Sequence, residues 1–425
     1  MIVLVATLPL LILTVLGRAL LGSWLAPGVF FALYWVAGLL LPILLSPSDA
    51  VGIGPLLWLE GAVVAVFVGA LAGGGSRAIP LPAGRGRHAG ELHVAFFVWA
   101  TVACTVLGLG AGVLALVSAG YTVGALFSPD NLVAAAHVLS LARYSVLYRP
   151  PASSQALLVF AYAGPLFGGV VAAIKCRRSH AWIAAASLLP AVLITGTQTT
   201  KGSTFLAIVL WLSAYLATRL AFGRRELFTR RHMSVGVWAI GIVVVLFLAS
   251  GLARLGSTNL LRVELEVLPS MKDAAVGYLP AFSHWFQGAG FDLHEPALGA
   301  YTFAGVFEAL GVRARLGGLF TDFVTLSSGG TTNIYSLFRL LIEDFTPPGA
   351  LVLLILFGAV AGMVYDRVAR GSVTALPLMV AFYATAIFSS ISSLWAYNSI
   401  LAALGVFSVG LAAAQWRGSG VLSPA

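Results

Sequence analysis

The feature that most restricts this chain is its succession of long, uninterrupted apolar runs. Examples are MIVLVATLPLLILTVLG at the start, GIGPLLWLEGAVVAV from residue 52 and LVLLILFGAVAGMVY from residue 351. A helix needs roughly 18 to 20 such residues to cross the hydrocarbon core of a bilayer. The chain supplies them again and again over its 425 residues. Inside lipid every backbone N–H and C=O must find a partner within the protein, which leaves helices or a closed barrel. Barrel strands would alternate polar and apolar side chains. These runs do not alternate, so the expectation is an all-α, polytopic membrane protein. Charge agrees with that class: only 9% of the residues are charged, against about 25% in a soluble domain. The mean hydropathy is +0.98.

Reading the runs as helices gives about eleven spans, near 2–17, 27–45, 51–72, 92–118, 155–174, 181–196, 203–221, 234–253, 347–365, 373–390 and 396–415. The N-terminal run lacks the basic start and small-residue cleavage site of a signal peptide and reads as the first span. The formal net charge is +9. In a chain of this class such an excess reports basic cytoplasmic loops and not a nucleic-acid partner. Basic residues crowd SRAIPLPAGRGRHAG, KCRRSH and GRRELFTRRH, and Arg367 and Arg370 follow the ninth run. Placing these clusters inside puts the C-terminus in the cytoplasm and the N-terminus outside. The whole of 1–425 then reads as one membrane domain with two long external segments, a first loop at about 119–154 and a large one at about 254–346. The second is broken into helical pieces by Gly and Pro. Cys104 falls inside a span and Cys176 in a basic loop, so no disulfide is expected. There is no P-loop, GxSxG, HExxH or Cys/His spacing, so neither a metal nor a cofactor is expected.

Chemistry-bearing residues gather at the borders of the runs. In ITGTQTTKGSTFLAIVL, Lys201 sits among threonines and glycines at the expected outer end of a span. It reads either as a snorkelling lysine or as part of an anion site, where free helix N–H groups and the helix dipole favour negative charge. Arg254 leaves the eighth run and reads as an anchor or a second cation. In NLVAAAHVLSLARYSVLY, His137, Ser140, Tyr144 and Tyr148 share a helix face beside Arg143, an interfacial helix or a cavity wall with Arg143 reaching an anion. Glu60 lies mid-run, where an ionisable group is costly and usually faces the bundle interior. His284, in AFSHWFQG, reads as a structural histidine or a base. In TTNIYSLFRLLIEDFTPPG, Arg339 and Glu343 stand four apart and share a face, with Asn333 and Tyr335 before them and Asp344 after. That group is a plain ion pair or the polar rim of a binding site.

The runs GAYTFAGVFEALG (299–311) and TTNIYSLFRLLIEDFTPPGALVLLILFGAVAGMVYDRV (331–368) resemble the C-terminal half of bacterial Wzy-type oligosaccharide repeat unit polymerases. Asn333, Tyr335, Asp344 and Phe345 match that family's pattern, and TKGS resembles its outer site with Lys201 in place of an arginine. The resemblance implies a GT-C-like, metal-independent glycosyltransferase of the inner membrane with its active site facing the periplasm. Donor and acceptor would both be oligosaccharides carried on undecaprenyl diphosphate, with a chain-length regulator as a further partner. Lys201, Arg254, Arg143 and Arg339 would hold the diphosphate. Asp344, Glu343 and His284 are the candidate bases. Asn333, Tyr335, Tyr278 and Trp285 would contact the glycan. An O-antigen ligase and a flippase for lipid-linked glycans are the competing readings.

Overall fold

The computed structural model describes residues 2–75, 94–144, 151–174, 178–224, 226–227, 230–289, 295–312, 320 and 322–419. It is helical almost throughout. In chain order the helices are α1 (Ile2–Leu21), α2 (Pro27–Leu45), α3 (Ile53–Ala70), α4 (Val94–Ser118), α5 (Pro129–Tyr144), α6 (Ala152–Ala173), α7 (Arg178–Ala186), α8 (Leu189–Gln198), α9 (Lys201–Ala221), α10 (Arg230–Arg254), α11 (Leu268–Val276), α12 (Tyr278–Ala289) and α13 (Ala304–Ala309), followed by α14 (Ser336–Ala369), α15 (Leu376–Phe388) and α16 (Asn398–Ser419). Two short strands, β1 (Val324–Thr325) and β2 (Thr331–Thr332), pair antiparallel between α13 and α14. Among the described residues nine helices are long and apolar enough to cross a membrane, and two shorter apolar stretches, Ile240–Arg254 and Leu376–Phe388, fall at the expected eighth and tenth spans. The protein is an all-α, multi-pass membrane protein.

The chain divides into two compact units. One is drawn from Met1–Gly90, Arg219–Leu227 and Lys272–Leu401, the other from Glu91–Thr218, Phe228–Met271 and Ala402–Ala425.

In the first unit, α3 and α14 lie backbone against backbone. A Cβ on Gly69 or Gly73 would strike the Ile355 or Ala359 carbonyl, and one on Gly358 or Gly362 would strike the Val66 or Ala70 carbonyl. α14 offers Gly358 and Gly362, and α3 with the π-helical turn that continues it (Leu71–Gly75) offers Gly69 and Gly73, each pair four residues apart. Such a small-residue seam lets membrane helices approach closely enough for dispersion to hold them, since lipid provides no hydrophobic drive for their association. Around it Trp58 meets Phe338 edge-on and Trp35 meets it at a tilt, with ring centroids 5.5 and 4.9 Å apart.

α14 extends further back than the expected span at 347–365. It is two helical pieces joined at Thr346, which has φ 64° and ψ 163°. Pro347 and Pro348 cannot donate to the preceding turn, so the break falls just before them. Thr346 lies in backbone space that only glycine occupies freely, a strain that persists only where neighbours enforce it. Asp344 is among those neighbours.

In the second unit α4 packs along α6, and Gly108 meets the Ala161 backbone. Phe167 stacks on Phe407 at 5.3 Å. Cys104 is buried among these helices. Cys176 lies outside the described residues.

Candidate functional site

The structure sorts the candidate residues into two groups, one in each unit.

The first group is built around Arg339. Its guanidinium Nε donates to Glu343 Oε1 at 2.8 Å, and Nη2 donates to Asp322 Oδ2 at 2.9 Å. Its carbon lies over the rings of Tyr335 at 4.2 Å, Phe320 at 4.5 Å and Trp285 at 5.2 Å. Only 8% of the Arg339 side chain is exposed, against 16% of Glu343 and 65% of Asp322. The β1–β2 hairpin brings Asp322 to the arginine. The Tyr335 hydroxyl donates to the Asp322 carbonyl at 3.1 Å, and Asn333 Nδ2 donates to the Phe320 carbonyl at 3.1 Å. Burial raises the Tyr335 hydroxyl above its ordinary pKa and outweighs the opposing pull of Arg339, so it remains a donor.

These contacts revise several expectations. Arg339 is expected as a diphosphate ligand, but two carboxylates already meet one guanidinium, and the group carries a net negative charge. Such surroundings repel a diphosphate. Tyr335 and Tyr278 are expected to contact a glycan, but their side chains are 1% and 4% exposed. The Tyr278 hydroxyl, pushed far up by burial and by the nearby Tyr34, donates to the Gly38 carbonyl. Asn333 is occupied in holding Phe320. Trp285 remains half-buried beside Arg339.

Asp344, first among the expected bases, is fully buried. Its Oδ1 accepts the Tyr301 N–H at 3.0 Å and its Oδ2 accepts the Thr302 N–H at 2.6 Å. The backbone continues the grip: Leu298 N–H donates to the Asp344 carbonyl and Ala297 N–H to the Glu343 carbonyl. Both carboxylate oxygens are committed to backbone donors, so Asp344 docks the 297–302 turn and has no face left for a substrate proton. His284 is exposed on α12. Asp322 is a residue that nothing in the sequence singles out. Its partner is 17 positions away, and the pairing exists only because the hairpin folds back. The hairpin itself is pinned at two places. Asp49 Oδ1 accepts the Ser327 N–H at 2.8 Å, and Ser328 Oγ donates to Asp273 Oδ1 at 3.0 Å.

The second group surrounds the start of α9. Thr199 ends the preceding turn in the left-handed region with φ 52°, and Lys201 opens the helix. Thr195 Oγ1 bonds Thr204 Oγ1 at 2.7 Å and donates to the Thr200 carbonyl at 2.9 Å. Thr200 Oγ1 and Ser203 Oγ are 3.0 Å apart. Ser250 Oγ of α10 reaches the Thr195 carbonyl at 3.3 Å. That contact sets the last turn of α10 beside α8 and brings the Arg254 charge within electrostatic reach of Lys201. His137 of α5 also faces this turn, with Nδ1 2.7 Å from the Arg254 carbonyl. Lys201 is half-buried and Arg254 exposed. Two cations, a ring of hydroxyls and the N-terminus of a 21-residue helix thus share one locality. The Arg143 side chain, assigned to the same role from sequence, lies outside the described residues, as does Tyr148.

Among the described residues no group of three or more His, Cys, Asp or Glu could hold a metal ion. Comparison with protein-family models, with curated proteins and with solved structures yields no match to this chain.

Proposed function

We propose that this protein is a glycosyltransferase of the Wzy type. In this reading it joins undecaprenyl-diphosphate-linked oligosaccharide repeat units into a polymer on the outer face of a bacterial inner membrane, within a GT-C-like bundle. The observation that carries the reading is the gathering of Lys201 and Arg254 at the N-terminus of α9. Positive charge gathered at that point favours a polyanion. The helix adds unpaired N–H groups and its dipole. When a sugar leaves its lipid carrier, negative charge grows on the departing diphosphate. Fixed cations at that point stabilise the transition state more than the ground state.

The Arg339 group, taken by itself, has the chemistry to hold a sugar, since carboxylates accept from sugar hydroxyls and Trp285 lies half-buried beside them. Of the acids, Asp322 and Glu343 keep some exposure. With Asp344 committed to backbone amides, Glu343 stays a candidate proton acceptor and Asp322 joins it, with Arg339 holding both in position.

Turnover by the purified full chain supplied with a defined undecaprenyl-diphosphate repeat tests this. Lys201→Ala and Arg254→Ala are expected to lose the polymer ladder while the melting temperature is kept. A wild-type ladder from both variants would remove the assigned cation role. A deletion strain separates the competing activities: single repeats on lipid A mark a polymerase, unattached polymer a ligase, and repeats trapped on the cytoplasmic face a flippase.

A further inference from the structure

The chain that follows α10 is built as a reversal, not as an open loop. Gly256, with φ 62°, ends the helix: its N–H donates to the Ala253 carbonyl at 3.0 Å, and the Ser257 N–H donates to the Leu252 carbonyl at 3.2 Å. A left-handed glycine of this kind turns the chain away from the helix axis. Asn259 then starts a new helix, its Oδ1 accepting the Leu261 N–H at 3.0 Å. This helix passes through a π turn, Val263–Val267, into α11. Pro269 follows the π turn by two residues; it has no N–H to give and its ring crowds the carbonyl four residues back, which favours a wide turn there. Packing fixes the reversal. Val267 is buried, and a Cβ on Gly251 would strike its side chain. Gly251 belongs to the last turn of α10, inside the apolar stretch Ile240–Arg254. The helix that Asn259 starts therefore lies level with the end of a membrane span, not above it.

Its side chains are sorted to match that depth. Arg262 Nε and Glu266 Oε1 pair at 3.6 Å across one turn, both half exposed. Leu261 and Leu265 stand one position earlier at the same spacing and form the neighbouring strip, with Leu260 and Leu268 at its ends. Leu268 is 45% exposed, and Leu260, Leu261 and Leu265 are 70–76% exposed. An apolar patch of that kind marks a contact surface. It continues the surface of α10, where Ile240, Ile242 and Val245 are likewise exposed along the span. Between Ser257 and Met271 one basic residue stands against two acidic ones. Attraction to anionic head groups therefore does not hold this helix; burial of its leucines does. We infer that the helix from Asn259 to Ser270 is an interfacial element. Leu260, Leu261, Leu265 and Leu268 enter the hydrocarbon edge of the leaflet that borders the end of α10, Arg262 and Glu266 face water, and Val267 on Gly251 anchors the helix at that level. The inference is independent of the proposed transferase activity.

The test uses the full chain in nanodiscs, with Cys104→Ala and Cys176→Ala removing the native thiols. A nitroxide is attached in turn at Leu261→Cys, Leu265→Cys, Leu268→Cys and Glu266→Cys, with Ile242→Cys as the lipid-facing reference. Oxygen concentrates in hydrocarbon and a chelated nickel complex in water, so the ratio of their collision rates with each nitroxide reads depth. At the three leucine positions the ratio should favour oxygen and approach that of Ile242→Cys. At Glu266→Cys it should favour nickel. A second measurement needs no substitution: a carbene probe carried on lipid acyl chains should label the peptide 257–271 of the wild-type chain, which keeps the test decisive should a labelled variant fail to fold. Nickel-favoured ratios at all four positions would place the helix in water and overturn the inference. Leucine positions shielded from both reagents would overturn it too, since a second copy or another protein would then cover them. A 257–271 peptide free of carbene adduct would do the same.

Discussion

Arg339 and the Lys201–Arg254 pair both place positive charge at the border of an apolar run, yet their surroundings are opposite. Arg339 is enclosed by three rings and two carboxylates and has almost no exposure. Lys201 and Arg254 stand near each other among threonine and serine hydroxyls, one half-buried and one exposed. The first arrangement pairs a cation with two carboxylates. The second places two like charges near each other at the start of a helix. An arginine stands in both regions; its neighbours decide whether it can serve a ligand.

The comparison predicts different consequences for the same truncation. Lys201→Ala or Arg254→Ala should each reduce turnover about 10²- to 10³-fold, the usual cost of removing one preorganised group from a developing anion, with thermal stability near wild type. Arg339→Ala should act first on stability. Removing it leaves Glu343 largely buried without its partner, a loss of about 3 kcal/mol by analogy with other broken buried pairs. Thermal melting in detergent beside the turnover assay separates the two patterns. Equal loss of turnover at unchanged melting temperature for all three variants would erase the distinction.

Asp344 sharpens it further. As a dock for the Tyr301 and Thr302 amides it is expected to cost about 3 kcal/mol when replaced by Ala, since two charge-assisted bonds disappear from a fully buried site. Asp344→Asn keeps only one acceptor and should fall between. The strained Thr346 lies two residues further on, so loss of the dock should also raise proteolysis within 344–348. A well-folded but inactive Asp344→Asn variant would return Asp344 to the role of base.

Much of this architecture was legible in the sequence, and the legible part has one cause. The bilayer accepts only helices, so length and apolarity suffice to place spans such as α2, α4 and α9. The Arg339–Glu343 contact was readable for a similar reason, because it depends only on helix geometry. What lay beyond reach depends on partners far away in the chain. Gly69, Gly73, Gly358 and Gly362 show a spacing of four, but only the folded protein pairs the two seams. Pro347 and Pro348 suggest the start of a span, and nothing nearby reveals that a helix runs into them from Ser336. Asp322 meets Arg339 only through a hairpin whose pins, Asp49 and Asp273, come from other segments. The burial of Asp344 likewise depends on a turn more than 40 residues upstream.

Asp322 itself should contribute little to stability. Its side chain is 65% exposed, and pairs of that kind are worth less than about 1 kcal/mol. Asp322→Asn should therefore melt close to wild type. Its effect belongs in turnover if it contacts the acceptor glycan, which gives a direct contrast with Arg339→Ala.

The smallest effect expected concerns the pin that holds the hairpin over Arg339. Burial alone would raise the Asp49 pKa, but hydrogen bonds from the Ser327 hydroxyl and backbone, from Ser46 and the charge of Lys272 outweigh it, so the carboxyl is held below its ordinary value. A depressed pKa means that the folded state favours the ionised form. The stabilisation is therefore complete above the usual carboxylate value and disappears as pH falls through the lowered one. Between neutrality and that value the hairpin should stay pinned, and only under more acidic conditions should it loosen. Amide exchange at Ser327, read as the ratio of Asp49→Asn to wild-type rates at each pH, removes the intrinsic pH dependence of exchange. That ratio should exceed one at neutral pH and fall towards one in acid. A ratio of one at neutral pH would show that Asp49 does not hold the hairpin, and with it Asp322, against Arg339.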